Sequence, residues 1–326
     1  VASPVANPLE TGVTTNRKVS VDALFRSLTR LAAGLTFLMV IAILVSLAVG
    51  AMPALHKFGL GFLFSSDWNP VTEEFGAAPA VMGTLITSLI ALLFAVPLSF
   101  GIALYINELA PPWLKRPISV AIELLAAIPS IIYGMWGLFV FAPWFADNIQ
   151  PWVTEHTADI PILSSLFNGP PMGIGIFTAS LILAIMITPF ITAIMREVFA
   201  LVPPVLKESA YGLGATTWEV SRNVVLPYTR IGVIGGVMLG LGRALGETMA
   251  VTFVIGNAHH LSTSLFMPGG TISSILANEF TEAVGDVYTS ALFALGLILF
   301  VVTFVVLALS RLMLLRLEKK ASGTKG

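Results

Sequence analysis

Apolar runs long enough to cross a bilayer alternate with polar segments along the chain. They cover roughly Leu31 to Gly50, Ala80 to Ile106, Ile118 to Phe141, Gly173 to Met195, Ile231 to Gly256 and Tyr288 to Ser310. A spanning helix needs about 20 apolar residues at 1.5 Å rise each, and each run supplies about that. The runs do not alternate with period two, as the strands of a membrane barrel would. The pattern predicts an all-α, polytopic membrane protein with about six transmembrane helices. Pro97, Pro129 and Pro189 fall inside runs two, three and four. Neighbouring helices can satisfy the carbonyls such prolines free, so either kinked spans or ordinary packing irregularity follows.

Composition agrees with this class. Of 326 residues, 56% are hydrophobic and only 11% charged, far too few charges for a soluble surface of this size. The formal net charge of −1 gives no reason to expect a nucleic-acid partner. The absence of cysteine excludes disulfides, thiolate metal sites and a cysteine nucleophile. Lys and Arg, apart from Lys57 and Arg243, all lie in the N-terminal segment, the second and fourth loops and the C-terminal segment. The positive-inside rule then places both termini in the cytoplasm. Residues 1–25 are expected to be a flexible cytoplasmic tail, and 26–78 an uncleaved signal anchor with a periplasmic segment. The core is expected at 79–317 and a basic cytoplasmic tail at 318–326.

The fifth run carries charge. Arg243 lies twelve residues after Ile231, roughly 18 Å along a helix, which would put it near the middle of a ~30 Å hydrocarbon core. An arginine there costs roughly 2.5–3.5 kcal/mol on insertion scales, so a partner charge, a wet cavity or an anionic passenger must offset it. In a continuous helix Glu247, four residues on, would share its face. Two readings stand: an anion pathway formed by Arg243 and Glu247, or an ion pair with no substrate contact. Gly232, Gly236 and Gly240, and Gly242 with Gly246, repeat every four residues and would let another helix approach closely. Glu123, about 8 Å inside run three, is expected to snorkel or pair with a base of a partner subunit. His259 and His260 are read as surface histidines, because two adjacent loop residues make a poor metal site.

The polar segment before this run, from Pro203 to Pro227, predicts two short helices. Pro203 and Pro204 suit a helix start. Val205 to Tyr211 would form the first helix, with Gly212 and Gly214 ending it. Thr216 and Glu219 form a capping box for the second, which should stop before Pro227. Val205, Leu206 and Tyr211 are apolar with little to bury them.

Within this loop Glu208-Ser209-Ala210, Gly214, Val224, Leu226 and Pro227 resemble the EAA loop of ABC-importer permeases. Every spacing fits, with Ser209 standing for Ala and Val224 for Ile. In that family the first short helix is the coupling helix that docks on a separate ATPase, so the resemblance assigns 203–228 to the coupling loop. The stretches from Glu108 and from Gly236 also look like the phosphate-importer branch of that family, over about Gly59 to Leu317. That resemblance implies the type I importer permease fold in a bacterial inner membrane. It also implies a heterodimer with a PstA-like permease, a PstB-like ATPase dimer that binds ATP and magnesium, and a PstS-like periplasmic phosphate-binding protein. It implies no cofactor on this chain.

Competing functions have weaker support. GLGRALG, from Gly240, has the wrong spacing for a dinucleotide fingerprint and follows no strand, and no P-loop or H-E-x-x-H occurs. A secondary anion transporter would carry internal repeats with broken helices, and no convincing repeat is visible. An intramembrane hydrolase using Glu247 or Glu123 would lack a nucleophile set. Sulfate and molybdate importers remain alternatives to phosphate.

Overall fold

The computed structural model describes residues 15–322, with side-chain surroundings for residues 21–316. The first helix, α1 (Thr15–Phe58), starts inside the segment expected to be a flexible tail. Residues 15–25 are therefore helical, and the rest of that tail lies outside the described residues. The chain divides into two compact units at Val49 and Gly50. Within the first, Phe25, Leu31, Phe37 and Ile43 stand exposed on all sides of the helix. Such a surface belongs in lipid or against another apolar chain, because burying each large side chain is worth about 1.5–3 kcal/mol.

The second unit begins with the end of α1 and a helical turn at Gly61–Phe64, followed by a short hairpin, β1 (Trp68–Asn69) pairing antiparallel with β2 (Glu74–Phe75). Asn69 turns it by accepting the Val71 N–H at 2.9 Å. Then follow α2 (Ala78–Leu104), α3 (Pro112–Ala127), α4 (Ser130–Trp136), α5 (Ile176–Ala200), α6 (Pro204–Gly212) and α7 (Thr217–Val220). After these come α8 (Leu226–Leu245), α9 (Met249–Thr252), α10 (Ile272–Glu279) and α11 (Asp286–Ser322). Among the described residues, five helices are long and apolar enough to span a membrane, or six if one bent pair counts as a span.

The packing centre is α5. Ile182, Leu183, Ile187, Ile191, Met195 and Phe199 of α5 are fully buried against α2, α3 and α8. Its buried Ser180, Thr188 and Thr192 donate to carbonyls four residues back at 2.7 Å, which satisfies each hydroxyl without an outside partner. A second cluster gathers Phe62, Phe75, Ile272, Ile275, Leu292 and Leu295 around the hairpin and the start of α11.

The prolines act differently from one another. Pro97 and Pro189 sit inside unbroken helices. Pro129 separates α3 from the segment starting at Ser130, and the two diverge by 88°. The single third span therefore becomes a broken one. Three π-helical turns, Tyr105–Leu109, Gly137–Phe141 and Ser221–Val225, lie at the ends of straight segments. The last one corrects the expectation that the loop's second helix stops before Pro227. The Leu226 N–H reaches back five residues to Ser221, and this wider turn lets helix continue into α8 with Pro227 in its first turn.

Candidate functional site

The expected continuous helix from 232 to 256 is not what forms. The α8 helix already begins at Leu226 and ends at Leu245, residues 246–248 leave helical conformation, and α9 is a single further turn. Glycine pays the largest entropy cost of any non-proline residue in a helix, so Gly246 is the weak point at which the helix gives way. Arg243 occupies the last turn of α8, roughly 25 Å along the helix from Leu226. Its positive charge there complements the helix C-terminus.

Glu247 falls beyond the break, so the two side chains no longer share a helix face. Its Oε1 accepts the Ala250 N–H at 3.2 Å and satisfies the start of α9 instead. Among the described residues, no carboxylate pairs with Arg243. Its guanidinium carbon lies 5.4 Å from the Phe190 ring centroid of α5, and the side chain is otherwise exposed. An aromatic face steadies a cation without neutralising it, so the guanidinium fork stays able to bind an oxyanion.

The second break lies against the first. A Cβ on Gly134 of α4 would stand 2.9 Å from the Met249 carbonyl oxygen and 3.1 Å from the Ala250 Cα, so α4 and α9 touch at the backbone. Tyr133 Oη donates to the Leu125 carbonyl at 2.9 Å and ties α4 back to the end of α3. Two interrupted helices thus meet beside an unpaired arginine. Irregular backbone at membrane depth persists only where protein buries it or a wet cavity lines it. A separate cleft of about 200 Å³ between α2, α3 and α5 includes Ile122, Tyr133 and Pro189 and carries no charge.

The glycines divide by face. Gly232, Gly236 and Gly240 run antiparallel along α5, where an added Cβ would stand 2.6 Å, 3.0 Å and 2.6 Å from Val198, Ile194 and Ile191. Gly242 faces Leu307 of α11 at 3.3 Å, and Gly246 approaches no other helix.

In the loop before α8, Thr216 and Glu219 form the expected capping box. Gly214 has φ +86°, which favours glycine, and ends the α6 turn. Val205 is 68% exposed, Leu213 90%, and Leu206, Tyr211 and Trp218 are also open. Glu208 and Ser209 are exposed, and Ser209 Oγ donates to the Val205 carbonyl at 2.7 Å, while Ala210 is half-buried. Val224 and Leu226, also half-buried, and the exposed Pro227 carry the chain into α8.

A polar node behind this loop escaped the sequence reading. Lys207 of α6 pairs with Glu108 at 2.5 Å, and the Glu108 side chain is 5% exposed. Asn107 Nδ2 donates to the Arg196 carbonyl at 3.0 Å, and Lys115 Nζ donates to the Asn107 carbonyl at 2.8 Å. Arg196 also pairs with Glu123 at 2.8 Å, so the base that meets Glu123 belongs to this chain. The available signal was that loops two and four carry their charges on one side of the membrane.

His260 is exposed, but His259 is not the surface residue expected. Its ring stacks on Trp68 at 5.6 Å, and its Nε2 lies 2.6 Å from Glu279 Oε1. Glu279 Oε2 accepts from Trp68 Nε1 at 2.9 Å and from Tyr288 Oη at 2.8 Å. Among the described residues, no group of His, Asp and Glu is arranged to hold a metal ion.

The family of binding-protein-dependent transport system inner membrane components matches residues 95–319. The chain is 61% identical to the phosphate transport system permease protein PstC of Pasteurella multocida, over 92% of this chain and 93% of the relative. It is 60% identical to the protein of the same name from Mesorhizobium japonicum, over 94% of each. In fold it is similar to a chain of a bacterial alginate ABC transporter solved with its alginate pentasaccharide-bound periplasmic protein. There the TM-score is 0.56 at 18% identity, covering 94% of this chain and 98% of that one. The family match over residues 95–319 and the identity over most of the chain place this multi-pass membrane protein in the binding-protein-dependent inner-membrane permease family, on the PstC branch.

Proposed function

We infer that this chain is the permease subunit of an ATP-driven bacterial phosphate importer and forms half of its translocation pathway. The observation that carries this reading is Arg243: a guanidinium at a helix break, 5.4 Å from the Phe190 ring centroid, with no carboxylate pairing with it among the described residues. Phosphate is anionic near neutral pH and accepts the paired N–H bonds of an arginine. One cation lowers the barrier for its passage, and conduction needs binding that is favourable without trapping the ion. Glu247, turned aside to α9, lies close along the chain and limits the net positive charge of the pathway.

Both termini lie in the cytoplasm, with the Lys/Arg-rich loops on that side. The exposed α6 surface docks on an ATPase dimer of PstB type, which binds ATP and magnesium. This chain carries no cofactor of its own. A PstA-type permease completes the pathway, and a PstS-type periplasmic protein delivers phosphate. Nucleotide-driven closure of the ATPases moves α6 and switches access to Arg243 between the two sides of the membrane. Sulfate and molybdate offer the same tetrahedral oxygens to a guanidinium, and the kinship with phosphate permeases favours phosphate.

The test is labelled phosphate uptake in cells lacking the native gene, with membrane expression of each variant measured. The wild-type chain with its partners should restore uptake. Arg243→Gln should be inserted equally and lower uptake at least about tenfold, since a lost charge-assisted contact of over ~1.4 kcal/mol has that effect. Equal uptake by the variant makes Arg243 structural. Uptake of sulfate or molybdate alone overturns the phosphate assignment and leaves the permease reading standing.

A further inference from the structure

We propose that the Glu108–Lys207 ion pair is a strut that carries motion of the coupling loop into α2, which makes both side chains positioning residues for transport. The proposal rests on the reading that α6 docks on an ATPase. Motion of α6 has a covalent route through α7 and the π turn Ser221–Val225 into α8. The second output is the ion pair, whose Glu108 belongs to the π turn Tyr105–Leu109 that closes α2.

That turn is fastened on three sides. Lys207 holds it to α6, Asn107 holds it to α5 through the Arg196 carbonyl, and Lys115 holds it to α3 through the Asn107 carbonyl. A displacement of Lys207 therefore reaches three membrane helices at one point. Stability alone gives little reason for such a pair. Two desolvated charges gain little over an apolar contact of the same size, and their best-attested use is to fix a register. Glu108, with its side chain nearly buried, has Lys207 as its cation, so the contact is directional and resists both approach and separation. Packing of α2 against α5 and α8 then passes the motion to the helix that carries Arg243.

The nearby Arg196–Glu123 pair is an internal control. It joins α5 to α3 at the same end of the molecule, with no hydrogen bond or ion pair to α6 among the described residues, and its Glu123 side chain is largely exposed. The chain contains no cysteine, so two can be introduced for spin labels at exposed Leu93 in α2 and Phe304 in α11. In the assembled transporter, trapping with ATP should shift the distance between the labels in wild type and in Glu123→Gln. Glu108→Gln should lose that shift and lower phosphate uptake roughly tenfold, within the usual range for coupling between sites. Should Glu108→Gln fail to assemble, the reversed pair Glu108→Lys with Lys207→Glu decides: a regained shift supports the strut and its absence overturns it. A wild-type shift in Glu108→Gln overturns the proposal, and so does its loss in Glu123→Gln, which would mean general loosening of this end. The label readout does not depend on the anion carried. A complex that shifts with ATP yet moves no phosphate refutes the substrate assignment and leaves the strut judged on its own.

Discussion

At the scale of single residues, the decisive events are choices of partner. Glu247 could have met Arg243 across one helical turn, yet it accepts a backbone N–H of α9 and leaves the arginine to Phe190. Glu279 takes the opposite course and collects His259, Trp68 and Tyr288 around one carboxylate. Burial pushes its carboxyl up, but hydrogen bonds from His259, Tyr288 and Trp68, with the charge of His259, outweigh burial and hold it below the usual glutamate range. A depressed carboxylate stabilises the folded state fully above its unfolded value, about 4.3, and loses that contribution as pH falls through the lower folded value. Thermal unfolding of the purified protein should therefore be insensitive to this group at pH 5 and above, and weaken below about pH 4. Glu279→Gln should lower stability at neutral pH by about 1–3 kcal/mol, because one amide oxygen cannot serve three donors. It should also flatten the acid limb of the melting curve. An unchanged acid limb in the variant would show that other carboxylates govern it.

At the scale of elements, similar local patterns meet different surroundings. The glycine series beginning at Gly232 lies against α5, whereas Gly246 faces no other helix. Gly240→Val should force methyls into Ile191 and cost about 1–3 kcal/mol through overpacking. Gly246→Ala has room and a φ of −93°, and should not destabilise the protein. Melting temperatures of the two purified variants check the contrast, and equal losses would contradict the packing geometry. The same contrast explains what could be read from the sequence. Capping by Thr216 and Glu219 depends on residues three apart and was legible. So were the four-residue glycine spacing and the apolar runs. The break after Leu245 was not, because a glycine in an apolar run looks alike within a helix and at its end, and contact of α9 with α4 decides between them. Pro97, Pro129 and Pro189 were indistinguishable for the same reason, and only Pro129 marks a break. The Glu108–Lys207 pair joins residues 99 apart, and no periodicity connects them.

At the scale of the whole molecule, the chain leaves apolar surface of two kinds. Along the spanning helices, exposed Leu93, Leu98, Phe304 and Leu309 need only hydrocarbon or another permease. On the loop before α8, Val205, Leu206, Tyr211, Leu213 and Trp218 form an exposed apolar set outside the long apolar helices, beside charged Glu208 and Arg222. Water penalises such a set, and a groove on a soluble subunit would relieve it. Removing the apolar character of Val205 and Leu206 should then act on association and leave folding intact, because neither side chain is buried within the chain. Full burial of each is worth about 1.5–3 kcal/mol, so replacing both by Ser should weaken ATPase binding by about a hundredfold or more. The α6 backbone should survive, since Gly214, the Thr216 cap and the Lys207–Glu108 pair are untouched. The expected outcome is a chain inserted in the membrane at normal level that no longer co-purifies the ATPase and no longer supports uptake. If the ATPase stays bound and uptake persists, the apolar set is not the docking surface. The charged residues around it, Glu208 first, would then have to carry the contact, and the association would weaken with salt rather than with loss of apolar area.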